Sequence, residues 1–334
     1  MKTEQAVWAP ADGVVEGGRS GQRGQVLAMT ETGTRPRARA WPRQREGDVM
    51  PTDMAALASD LAAETAVTRN LVAGLDEARW HTPTPAAGWD IADQIGHLAY
   101  FDEAAVCSAV RPGEFHAALA EAQASGGIDP DDIAAQFRDR SGAQMLAWFD
   151  AARAELLTTF AGLDPRARLP WFGPAMSAAS ALTARLMETW AHTQDIADAL
   201  GVRREPTGRL RHVAHIGVGA RAFSYAVRGK TQPPVPVRVE LTAPDGAVWT
   251  WGPAEAEDRV TGPALDFCLL VTQRSHRDDL SLAIQGPAAT EWMSIAQAFA
   301  GAPGPGRPRP FSERTEQPIL PAADDMLANQ NRHD

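Results

Sequence analysis

The stretch Arg185-Leu186-Met187-Glu188-Thr189-Trp190-Ala191-His192-Thr193-Gln194-Asp195 decides how the rest of the chain is read. It lies in an amphipathic segment expected to be helical over residues 177–200 and to stop at Gly201, a residue suited to the left-handed conformation that ends helices. Glu188 and His192 are four residues apart, so a helix stacks them one turn apart on one face. A carboxylate and an imidazole so placed can hold one divalent cation without backbone strain. The alternative is a solvated surface pair, because residues of these types meet that spacing often by chance.

Upstream, three further segments carry helical periodicity. Met54, Leu57 and Leu61 recur at steps of three and four, and Val72 and Leu75 return to the same face after Thr65 and Thr68 weaken the stripe. The turn Thr84-Pro85-Ala86-Ala87-Gly88 precedes Asp90, a good N-cap for a helix over residues 91–110, with Asp93 favoured in the first turn by the helix dipole. Residues 111–129, with Pro112, Gly113, Gly126 and Gly127, read as a long and partly helical connection. Asp129-Pro130-Asp131 opens a third helix carrying Ile133, Phe137, Met145, Trp148, Phe149, Leu156 and Phe160. Residues 169–176, with Pro170 and Pro174, read as a loop. Successive long amphipathic helices predict a four-helix bundle over residues 51–201.

Beyond Gly201 the period changes. Residues 210–227 read as helical, and then Val235, Val237, Val239 and Leu241 alternate with Pro236, Arg238 and Glu240 as in a half-buried strand. Pro244-Asp245-Gly246 is a turn into a partner strand at residues 247–251. A short apolar helix at 263–273, a strand at 280–284 and a helix at 289–300 complete a small α+β domain over residues 207–300, so the expected class is α+β overall. Residues 1–49 show neither period and read as a disordered leader, Arg-rich between Arg35 and Arg43; residues 301–334 read as a Pro/Gly-rich disordered tail. Translation starting at Met50, just before Pro51-Thr52-Asp53, is a further expectation.

Composition narrows the function classes. The 334 residues are 44% hydrophobic and 22% charged, normal for a chain with a full core. Lys plus Arg number 32 against 42 Asp plus Glu, a formal charge of −10, which argues against nucleic acid as a partner. No run reaches the ~18 apolar residues of a membrane span, and the first residues lack the apolar stretch of a secretory signal. Cys107 and Cys268 are too few for a disulfide framework or a cysteine-based zinc site and suit a reducing cytosol. The expectation is a soluble, cytoplasmic protein with small-molecule partners. No Gly-x-Ser-x-Gly elbow, phosphate loop or dinucleotide fingerprint is present.

His97 is the third candidate ligand. Its helix places it within about 60° of Phe101 and Gln94, at the edge of the apolar face. It can be a hydrogen-bonded core histidine or, if its helix packs against the one carrying Glu188, a ligand inside the bundle. Two neutral imidazoles and a carboxylate match a catalytic zinc set with one position open. Non-haem iron oxygenases use the same set, so the ligands alone do not name the metal. Asp195, one turn past His192, is expected either to orient that ring's free N–H or to be a solvated acid; Asp93, four before His97, either does the same or serves the helix start. Cys107 is rotated by about 280° from His97 and reads as core.

Taken together, Gly88-Trp89-Asp90 through Asp93 to His97-Leu98, and Arg185 through Glu188 to His192 and Asp195-Ile196-Ala197, resemble the DinB-like family of mycothiol-dependent maleylpyruvate isomerases over roughly residues 51–201. The similarity extends to an actinobacterial subgroup of metal-binding proteins without an established reaction. The resemblance implies a four-helix bundle whose metal, usually zinc, is held by His97, Glu188 and His192, followed by a small α+β domain. It also implies mycothiol as cosubstrate, bound as a thiolate that adds to an electrophilic carbon and gives either cis–trans isomerisation or a stable thioether. Arg274, which follows Phe267-Cys268-Leu269-Leu270-Val271-Thr272-Gln273, is the counterpart of the family's catalytic arginine and would hold a substrate carboxylate; an ordinary surface arginine is the other reading. A non-catalytic metal- or ligand-binding protein and a metal-dependent hydrolase are the competing functions, the latter without an obvious general base. The electrophile and the oligomeric state are left open. Intact-mass measurement of the natively produced protein is expected to give a chain starting at Met50; a mass that includes residues 1–49 would reject that start.

Overall fold

The computed structural model describes residues 53–308. The expected leader over residues 1–49, the Met50 start and the tail from residue 309 onward lie outside the described residues. The first helix, α1 (Met54–Val72), begins where the Asp53 carboxylate accepts the backbone N–H groups of Ala55 and Ala56. After the single turn α2 (Glu77–Trp80), a tight reversal leads into α3 (Ile91–Val110). There Asp90 and Asp93 form a reciprocal capping box, so Asp93 does more than favour the dipole.

Residues 111–129 are more ordered than expected, for α4 (Pro112–Ala124) fills most of them, with Pro112 at its first position where no N–H is needed. The expected third helix is two. A short α5 (Pro130–Ala135) is followed by α6 (Gly142–Ala161), which starts from its own capping box of Ser141 and Gln144. The expected loop at 169–176 is flanked by a small antiparallel pair, β1 (Arg168–Leu169) with β2 (Met176–Ser177). α7 (Ala178–Leu200) then runs from the Ser177 cap to Gly201, whose φ of 65° is the left-handed stop its sequence predicts.

Helices α1, α3, α6 and α7 form the bundle; α3 packs against α6 and α7, and α1 packs against the same two from the opposite corner. Ile91, Ile95, Leu98, Phe149 and Ile196 fill the space around α3. At mid-height lies a buried ionic cluster. Asp102 of α3 accepts from Arg153 of α6 at 2.6 Å and from Arg185 of α7 at 2.9 Å, and Arg153 also donates to Thr65 and Thr189.

The remainder carries the sheet. The segment expected as one helix at 210–227 breaks at Ala220 into α8 (Leu210–Gly219) and α9 (Arg221–Ala226). β3 (Val237–Thr242) and β4 (Val248–Trp251) form the expected hairpin, and β5 (Asp258–Pro263), which the sequence reading passes over, lies parallel to β3 on its other side. α10 (Ala264–Val271) follows, then β6 (Ala283–Gln285), antiparallel to β5, and α11 (Pro287–Ile295); the strand order is β4-β3-β5-β6. One apolar cluster runs from Leu57, Leu61 and Leu186 in the bundle to Phe267 and Trp292, so bundle and sheet share a continuous core. Residues 301–308, expected as disordered tail, are described without helix or strand, and Arg307 reaches Asp195 of α7 at 2.5 Å. No described helix is long and apolar enough to cross a membrane.

Replacing Asp102 by Ala leaves two guanidinium groups buried without their carboxylate, which is expected to cost about 3–5 kcal/mol. Urea denaturation followed by circular dichroism checks this; an unchanged midpoint would mean that the cluster contributes nothing to the fold.

Candidate metal centre

The α3–α7 contact brings the three candidate ligands together. His97, Glu188 and His192 each offer a ligand atom, and these atoms all lie within 4.8 Å of one another. His192 Nε2 is 3.2 Å from Glu188 Oε2, and His97 Nε2 is 3.7 Å from the same oxygen. The two rings stand 4.3 Å apart between centroids. His97 Nδ1 is buried with no hydrogen-bond partner. A histidine kept only for packing would have its buried nitrogens satisfied; His97 has one orphan nitrogen and one loose approach to a carboxylate. The donor set, with His97 Nε2 facing Glu188 at 3.7 Å, too long for a hydrogen bond, fits a bound divalent cation.

Aromatic side chains wall the centre. Trp89 lies 5.4 Å from His97 and stacks on His192 at 6.0 Å, while Phe101 lies 4.6 Å from His97 and leads to Phe172. Trp89 can reach over the rings because the chain turns at Gly88, whose φ of 81° disfavours any side chain. In this surrounding, burial and then the neighbouring His192 push the His97 pKa down to about 4, against the attraction of Glu188. Burial works against ionisation of Glu188, yet the two imidazoles beside it hold its carboxyl well below the usual carboxylate range. At neutral pH the centre therefore offers an anionic oxygen and an unprotonated His97.

The supporting residues differ from those expected. Asp195 does not orient His192: its oxygens accept from Arg274 at 2.8 and 3.1 Å and from Arg307, and charged donors outcompete a neutral ring for a carboxylate. Asp93 does not reach His97 either: Arg138 binds it through two 3.0 Å hydrogen bonds and the Asp90 N–H donates to it at 3.2 Å. The partner of His192 Nδ1 is Gln94, at 2.5 Å. Gln94 lies one turn before His97 on the same helix face, the one sequence signal that could have nominated it. Arg274 is placed against Asp195, one turn past His192, and its guanidinium also donates to the Thr272 carbonyl at 2.6 Å. Cys107 and Cys268 are buried and free, and burial raises both thiol pKa values.

The lowered His97 pKa fixes a sign for stability. Between the ordinary value of 6.5 and about 4 the unfolded chain holds a proton that the folded one rejects, so stability falls as pH drops through that window. The depressed Glu188 acts in the same direction below its ordinary range. Chelator-treated protein is expected to lose up to about 3 kcal/mol from the His97 shift between pH 7 and 4. Urea midpoints across that range check it, with His97→Gln flattening the slope; equal slopes for both chains would contradict the assignment.

Residues 61–197 match the family described as the mycothiol maleylpyruvate isomerase N-terminal domain, and residues 233–283 match one described as wyosine base formation. Two Mycobacterium tuberculosis proteins, from strains CDC 1551 / Oshkosh and H37Rv and each named only as an uncharacterized protein, are 46% identical over 249 residues, covering 75% of this chain and 97% of theirs. Among solved structures, the mycothiol-dependent maleylpyruvate isomerase and a histidine-to-alanine mutant of it align at 15% identity over 70% of this chain and 95% of theirs, with TM-scores of 0.46 and 0.47. With the isomerase-domain match spanning the helices that carry His97, Glu188 and His192, the chain belongs to the DinB-like family of the mycothiol-dependent maleylpyruvate isomerases.

Proposed function

We propose that the chain is a divalent-metal-dependent enzyme, with zinc as the metal, that activates mycothiol for isomerisation of, or S-transfer to, a small electrophile. The observation that carries the reading is the convergence of His97 from α3 with Glu188 and His192 from α7. The family membership supplies the thiol. A cation held by these three side chains stabilises thiolate over thiol, which a free thiol of pKa about 8.5 does not achieve at neutral pH.

The chain's own residues have distinct tasks in this reading. Glu188 supplies the negative charge and the two imidazoles complete the donor set without adding charge. Trp89 and Phe101 keep bulk water off the rings, which strengthens electrostatic interactions inside. Arg274 is the side chain assigned to a substrate carboxylate, and Asp195 holds its guanidinium one turn from His192 until such a group arrives.

Elemental analysis of the purified full chain is expected to find zinc, with His192→Ala and His97→Ala each removing most of it while circular dichroism stays helical. Mycothiol is expected to bind the metal-loaded protein and not the chelated one. Unchanged metal content in both variants, or equal thiol binding with and without metal, would overturn the proposal. Metal and thiol binding without turnover on unsaturated acids or alkylating electrophiles would favour a non-catalytic binding protein.

A further inference from the structure

We propose that Gln94 is a positioning residue of the centre, the last member of a relay that forces His192 to carry its proton on Nδ1 and to turn Nε2 toward Glu188. The inference rests on the metal reading above for the identity of the cation, and on hydrogen bonding alone for the relay. It starts at a backbone carbonyl. The oxygen of Trp89 can only accept, and it lies 2.8 Å from the Thr84 backbone nitrogen and 2.9 Å from Thr84 Oγ1. The single hydroxyl proton of Thr84 is thereby committed to Trp89. Thr84 Oγ1 also lies 2.9 Å from Gln94 Nε2, and having given its proton it can only accept there. The NH2 end of the Gln94 amide therefore faces Thr84, and its carbonyl faces His192 Nδ1 at 2.5 Å. Nδ1 must donate.

The consequence appears on the other side of the ring. A neutral imidazole has one N–H, so with Nδ1 protonated its Nε2 presents a lone pair to Glu188 Oε2 at 3.2 Å. Two acceptors at that separation repel each other unless positive charge lies between them, either a second proton or a metal ion. The relay thus turns an i, i+4 pair that would otherwise share an ordinary hydrogen bond into a seat for a cation. Glutamine suits the position because it is fully buried and needs one accepting end and one donating end. A glutamate there would set a second acceptor against Thr84 Oγ1. Trp89, whose carbonyl begins the relay, is itself held by its indole N–H, which donates to Asp131 at 2.6 Å.

The test uses the full chain, with zinc ion as the probe. Nitrogen-resolved imidazole spectra of chelator-treated protein are expected to show His192 protonated at Nδ1, its signals being identified by their loss in His192→Gln. Gln94→Leu is expected to release the ring into mixed tautomers and to weaken zinc binding, measured against a chromophoric chelator, about 10–100-fold. Thr84→Val, which removes the relay's hydroxyl while keeping its shape, is expected to shift both readouts in the same direction, and Thr84→Ser to restore them. That pattern separates a relay from simple space-filling, and the Thr84 pair decides the matter should Gln94→Leu fail to fold. A bare Nδ1 on His192 in the unaltered chain would overturn the inference. So would ring signals and zinc affinity unchanged in Thr84→Val and in any Gln94→Leu that folds. If the unaltered chain takes up no zinc, the cation of the proposed function is lost, and the ring spectra alone decide the relay.

Discussion

The ion pair of Asp102 with Arg185 sets the register of α3 against α7, and the candidate centre exists because of that register. Antiparallel helices advance in opposite directions at about 1.5 Å per residue. Five residues back from Asp102 on α3 stands His97; three and seven residues forward from Arg185 on α7 stand Glu188 and His192. Eight residues back stands Gln94, opposite His192. A slip of one turn would separate these partners by about 5.4 Å and dissolve the site. Arg153 from α6 closes on the same carboxylate, so three of the four bundle helices are keyed to one buried side chain. Arg185 has a second effect at a distance, since its charge adds to the forces that keep His97 unprotonated.

The way the fold treats its buried acids sets Glu188 apart. Glu64 is held by Arg204 and Arg209, Asp93 by Arg138, Asp102 by Arg153 and Arg185, and Asp195 by Arg274 and Arg307. Each of those four carboxylates receives a permanent positive charge, which offsets the cost of taking it out of water, whereas buried Asp258 accepts the Ala289 backbone N–H at 2.8 Å. Glu188 faces two imidazoles instead, one of them with its pKa well below neutrality. A largely buried carboxylate beside an uncharged ring is stabilised by a mobile cation in a way that the guanidinium-paired acids are not. The contrast with those four acids adds to the argument that the spacing of Glu188 and His192 makes for a cation site.

Local signals were legible in the sequence and long-range partners were not. The limits of α3 and α7 follow from a capping aspartate and a left-handed glycine, both properties of a few adjacent residues. The break before α6 was also written locally, in Ser141 and Gln144, but the apolar positions from Ile133 to Phe160 run across it and suggest one continuous helix. β5 has only Val260 as a large, fully buried apolar residue, too little alternation to announce a strand whose place is fixed by pairing on both sides. The three ligand positions could be nominated because a helix fixes i, i+4 geometry, with His97 added by its place on the wheel and by the family resemblance. The supporting contacts could not, because Gln94 reaches His192 across from another helix, and Arg138 and Arg307 reach Asp93 and Asp195 from distant segments.

The Asp195 junction shows how such long-range pairing bears on chemistry. One carboxylate is shared by Arg274, from the loop after α10, and Arg307, from the segment after α11, so both regions beyond the bundle are tied to α7 one turn from His192. The junction sets two guanidinium groups on the buried Asp195, and Arg307 also lies 3.7 Å from Asp198. If Arg274 swings away to meet an anionic group, Asp195 keeps Arg307 and is not left as an unpaired buried charge, the circumstance that makes breaking a buried pair costly. A single Arg–Asp pair would resist that movement. Under the proposed function the second arginine would leave the first available to substrate, through a stretch of chain that composition alone would assign to a tail.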